Sequence, residues 1–141
     1  MPCLLEAKAA VNWDVCPAIE AAQLTIAKVY LANQAKAVVT SARDGKHSKQ
    51  TAHNDGNAID LRIVNLFPGW KKSNREWYGL VLVFAHKLAI ALEALEMAGR
   101  FDVVLERDHI HLEHSVNRHP NIKAWNPAVL GQRSGRVHRL G

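Results

Sequence analysis

Two short stretches of this chain hold residues whose types and spacing could do chemistry together. "TAHNDGNAID", Thr51 to Asp60, carries His53 and Asp60. "ERDHIHLEHS", Glu106 to Ser115, carries His109 and His111, with Glu106 and Asp108 just ahead of them. Asp60 falls inside the apolar alternation "AIDLRI", where a carboxylate is costly unless something compensates its charge. Two imidazoles and a carboxylate with one position left open are the ligand set of a catalytic zinc. His53, Asp60 and one of the two later histidines are therefore candidate ligands, and the cation they share would be what compensates Asp60.

For that to happen, two strands must lie side by side. "NAIDLRI" alternates with a period of two, so Ile59, Leu61 and Ile63 face one way while Ala58, Asp60 and Arg62 face the other. "HIHLEHS" does the same: Ile110 and Leu112 point to a core, and His109, His111 and Glu113 share the opposite face. "AVVTSA" and "FDVVLE" read as further strands, and the polar run from Arg43 to Asn54 as a loop. A helix is predicted from Pro17, a good first helical residue, with its apolar spacing at Ile19, Leu24, Ala27 and Leu31. The capping-box pattern "SNRE", Ser73 to Glu76, opens a second helix expected to end near Gly99. The order helix, strand, strand, helix, strand, strand predicts an α+β fold, with helices packed on a small, mainly antiparallel sheet.

The bulk properties suit that architecture. With 141 residues and 48% hydrophobic content, the chain can build one compact domain with its own core. The start lacks the basic and apolar regions of a secretory signal, and the longest apolar run is interrupted by His86 and Lys87. Cys3 and Cys16 form no metal-type pair and read as free thiols of a chain made in the cytoplasm. The net charge of +5 comes wholly from the end of the sequence. Up to Ser115 acids and bases balance, whereas Arg118, Lys123, Arg133, Arg136 and Arg139 follow with no acid among them. This divides the chain into a domain over 1–115 and a basic tail over 116–141, suited to an anionic wall or membrane surface.

The two stretches also carry a resemblance. "TAHNDGNAID" resembles the SxHxxGxAxD motif of zinc D-alanyl-D-alanine carboxypeptidases and phage L-alanyl-D-glutamate endopeptidases, a group related to the Hedgehog zinc domain. Thr51 stands where that motif has serine. "DHIHLE" is similar to the second motif of the group, and "TSARDG" to the short strand ending in arginine that precedes the first. The match spans roughly residues 37 to 115, in the expected order.

The resemblance implies one Zn2+ per chain, held by His53, Asp60 and His111. It implies Asp108 as general base, His109 as a residue orienting the site or donating to the transition state, and Arg43 on the oxyanion or a substrate carboxylate. Thr51 would contact substrate, and Gly56 would shape the turn that brings His53 in. A second register is open one step earlier, with Glu106 as base and His109 as ligand; "HLE" after His111 matches the motif better than "HIH" after His109. The implied reaction is hydrolysis of a peptide bond in a peptidoglycan stem peptide. Size, basic tail and lack of a signal fit a monomeric phage-type lysis enzyme (endolysin), made in the cytoplasm and acting at the bacterial wall with no nucleic-acid partner. Two other readings compete. "DHIH" with Asn117 and His119 resembles HNH nucleases but leaves "TAHNDGNAID" unexplained, and a non-catalytic zinc module would not need Glu106 or Asp108.

Overall fold

The computed structural model describes residues 5–7, 11, 13–42, 57–70, 75–95, 100–115 and 134–137. In chain order these form β1 (Glu6–Ala7), α1 (Pro17–Ala32), β2 (Val38–Ser41), β3 (Ala58–Arg62), α2 (Arg75–Glu93), β4 (Arg100–Glu106), β5 (His109–Ser115) and β6 (Ser134–Val137). The strands make one sheet in the order β1-β2-β3-β5-β4-β6. Only β1 and β2 run parallel; every other neighbouring pair is antiparallel. The fold is α+β, as the alternation of helical and strand periods predicts.

Strand alternation decides which face is buried. Ile59, Leu61 and Ile63 of β3 and its continuation join Val103 and Leu105 of β4 and Ile110 and Leu112 of β5 in the core. The helices supply Ile19, Ile26 and Tyr30 from α1, and Trp77, Val81, Phe84 and Leu88 from α2. Tyr30 and Phe84 meet edge to face across the two helices, with ring centroids 4.8 Å apart.

The face that α1 buries differs from the expected one. Ile19 is buried, but Leu24 and Leu31 are 55% and 71% exposed. The packed stripe is Ile19, Ala22, Gln23, Ile26 and Tyr30. Gln23 is tolerated there because its amide donates to the Glu20 carbonyl at 3.1 Å. Tyr30 fixes the rotation of the helix: its hydroxyl donates to the Arg62 carbonyl at 2.8 Å, tying α1 to the end of β3. The helix starts on an extended Cys16 with Pro17 in its first turn. α2 ends at Glu93, short of Gly99, which lies outside the described residues with Ser73 and Asn74 of the predicted cap. Among the described residues no helix is long and apolar enough to cross a membrane.

Two strands were not foreseen. β1 has only two residues and attaches to β2. β6 pairs with β4 and falls inside the 116–141 segment read as a tail, so the sheet does not stop at Ser115. Physically, β4 without β6 would present an open edge of backbone donors and acceptors.

Candidate functional site

β3 and β5 are antiparallel neighbours, with Asp60 directly opposite His111 and Arg62 opposite His109. Opposed residues on such a pair have Cβ atoms about 5 Å apart, so their side chains meet. His111 Nδ1 lies 3.1 Å from Asp60 Oδ1, and its other nitrogen, Nε2, lies 3.1 Å from Glu113 Oε1. Glu113 is two residues along the same strand, on the same face, and only 7% exposed. One imidazole therefore spans two carboxylates, the second of them buried.

His109 is held differently. β4 and β5 are joined by the two-residue connection Arg107–Asp108, which brings Glu106 beside His109. α2 pins that hairpin, since the Tyr78 hydroxyl donates to the Arg107 carbonyl at 2.7 Å. His109 Nε2 forms an ion pair with Glu106, and its Nδ1 lies 2.7 Å from Asp108 Oδ1. Asp60 Oδ1 is 3.6 Å from Nε2. Burial alone would pull this imidazole below its ordinary value of 6.5, but the bond to Glu106, the charge of Asp60 and the bond to Asp108 outweigh it and raise the pKa to about 9. At neutral pH His109 is an imidazolium among three carboxylates. Asp108 is the most open of the group, its side chain 67% exposed.

Beside this row lies an open cleft of about 460 Å3, lined by Thr40, Ser41, Asp60, Arg62, Val64, Trp70, Asp108 and His109. The pairing of β2 with β3 shifts register between Val39 and Ser41. Such a bulge re-aims side chains locally, and here Thr40 and Ser41, adjacent in sequence, both line the cleft. The Thr40 hydroxyl reaches the Asp60 carbonyl at 3.5 Å.

Of the residues singled out from the sequence, Asp60, Glu106, Asp108, His109 and His111 come together on one polar face. Arg43, Thr51 and His53 lie outside the described residues. Among the described residues no three His, Cys, Asp or Glu side chains are grouped to hold a metal ion, and the third expected ligand is His53. Three further residues had no role assigned from the sequence. The strand alternation already placed Glu113 on the face of His111 and Arg62 on the face of Asp60, but it did not show what either touches. Trp70, after the Pro68–Gly69 turn, had no periodic signal. Cys16 forms no disulfide, and Cys3 lies outside the described residues.

Comparison with known proteins identifies no relative: no family model, no curated protein and no solved structure matches the chain.

Proposed function

We propose that this protein is a zinc-dependent peptidase that hydrolyses an amide bond in bacterial peptidoglycan stem peptides, acting as a phage-type lysis enzyme. One observation carries the reading: Asp60 and His111 face each other across two strands, with buried Glu113 on the far nitrogen of the histidine. A histidine that gives its second N–H to a carboxylate has its tautomer and ring orientation fixed, the usual support of a metal-binding imidazole. In the tautomer that gives Nε2–H to Glu113, the Nδ1 lone pair is turned toward Asp60.

The donor pair fits zinc. Two ligand atoms bound at about 2.0–2.1 Å to one tetrahedral zinc stand roughly 3.3 Å apart; Asp60 Oδ1 and His111 Nδ1 stand 3.1 Å apart. His109 fits less well as a ligand, because the carboxylates nearest its two nitrogens are Glu106 and Asp108, neither an expected ligand, whereas one of the two carboxylates on His111 is its expected co-ligand Asp60. This favours the register with His111 as ligand and Asp108 as base over the one with His109 and Glu106.

Asp60 and His111, with His53 as third donor, would hold the ion. Zinc in such a place acidifies water toward neutrality and polarises a carbonyl. Asp108, open to solvent at the hairpin, takes a proton from the attacking water and returns it to the leaving amine. His109, paired with Glu106 and Asp108, would orient the site or donate to the carbonyl oxygen as negative charge grows there.

The test is digestion of purified peptidoglycan by the zinc-loaded protein, with products identified by mass spectrometry. The expected products are stem peptides shortened by D-alanine or released with a new amino terminus. Intact walls together with cleavage of a DNA duplex would replace this reading with the nuclease.

A further inference from the structure

The cleft carries a cation that its own neighbours leave unused. Arg62 is half-buried, stands on the same face as Asp60, and faces His109 across β3 and β5. Three acids crowd this region, yet His109 takes Glu106, Asp108 and a share of Asp60. Among the described residues the Arg62 guanidinium makes no ion pair or hydrogen bond; only its backbone carbonyl is used, by Tyr30. A half-buried arginine lining an open cleft is a ready receptor for a carboxylate, which its planar fork can grip with two parallel bonds. Val64 and Trp70 give the same cleft an apolar wall, and Thr40 and Ser41 give it hydroxyls.

Building on the peptidase reading, we propose that Arg62 binds the free α-carboxylate of the D-amino acid whose nitrogen leaves in the reaction. Both candidate bonds share this chemistry. In D-alanyl-D-alanine the leaving residue is D-alanine, and in L-alanyl-D-glutamate it is D-glutamate joined onward through its side chain. In each, a free α-carboxylate sits on the carbon attached to the scissile nitrogen, three bonds from the carbonyl carbon. The spacing suits this. Arg62 is two residues beyond Asp60, about 7 Å along an extended strand, and its long side chain can meet a carboxylate that close to a carbonyl held at Asp60.

The test uses four non-cleavable ketomethylene analogues on the zinc-loaded full chain. They are N-acetyl-D-Ala-D-Ala and N-acetyl-L-Ala-D-Glu γ-amide, each with the α-carboxylate free or as its amide. Affinities are read by NMR titration. At least one free acid is expected to bind about ten- to a hundredfold tighter than its amide, the scale of a hydrogen bond to a charged group; which one does so names the bond. Arg62→Gln should abolish that difference and Arg62→Lys should keep part of it, with circular dichroism checking the fold of both. Equal binding of acid and amide by the wild type, no binding of any of the four, or full discrimination in Arg62→Gln would each overturn the proposal. Hydrolysis of the cleavable parent peptides is scored separately. Discrimination that depends on Arg62 without turnover would keep the carboxylate site and remove the peptidase. Turnover with an acid preference indifferent to Arg62 would do the opposite.

Discussion

His109 and His111 are two residues apart on one strand, yet their partners give them different work. His111 bridges Asp60 and Glu113, whereas His109 is locked among Glu106, Asp108 and Asp60. Zinc content and wall hydrolysis should therefore separate them. Asp60→Ala and His111→Ala are expected to lose the metal, while His109→Ala keeps it and loses rate. Asp108→Asn should retain zinc and lose about a hundredfold in turnover, the scale of a missing general base, with Glu106→Gln the milder change. Stoichiometric zinc in His111→Ala would end this assignment. Glu113 carries its own expectation. Glu113→Gln should weaken zinc binding by about ten- to a hundredfold, as loss of an orienting carboxylate does, and competition with a chelator of known affinity measures it. Unchanged affinity would leave Glu113 a structural carboxylate only. The spacing in "HIH" does not encode this division, which only the motif resemblance implied, because the partners are set by strand register and by the hairpin.

At the scale of elements, what could be read from the sequence was what repeats with a strict period and one apolar face. β3 and β5 were legible because Ile59, Leu61, Ile110 and Leu112 leave a single consistent buried side. The face of α1 was not, because Leu24 and Leu31 are as apolar as Ile19 and Ile26, and a tyrosine hydroxyl decided between the stripes. β1 and β6 were missed because "EA" and "SGRV" carry no alternation; edge strands owe their place to open backbone groups. The Tyr30 bond can be weighed directly. Tyr30→Phe leaves the Arg62 carbonyl without its donor and should cost about 1–2 kcal/mol, read as a lower urea midpoint with an unchanged slope. A midpoint equal to that of the wild type would mean that packing alone sets the rotation of α1.

For the whole molecule, the polar face makes stability depend on pH. His109 has its pKa raised from 6.5 to about 9 in the folded chain. Below about pH 6.5 it is protonated whether folded or not, and its carboxylates stabilise the fold fully. As pH rises the unfolded chain gives up the proton first, so that contribution declines and is gone once the folded value is passed. The urea midpoint of the metal-free protein should fall across this window, and His109→Gln should flatten much of the slope; an equal slope in both would exclude this origin. Tyr30, buried with its phenol pushed up by burial, adds a further loss above the ordinary phenol value of 10.0.

The register of β3 against β5 also has a consequence for how such a site can change. Asp60 and His111 lie 51 positions apart in sequence, and the chain runs through α2 and β4 between them. A slip of one residue would turn Asp60 toward the helices and a core isoleucine toward solvent. The apolar side of the sheet thus acts as a proofreader for the polar side. Substitutions among the polar residues can be tried without moving the backbone that positions them, because Ile59, Leu61, Ile110 and Leu112 hold the alignment from behind.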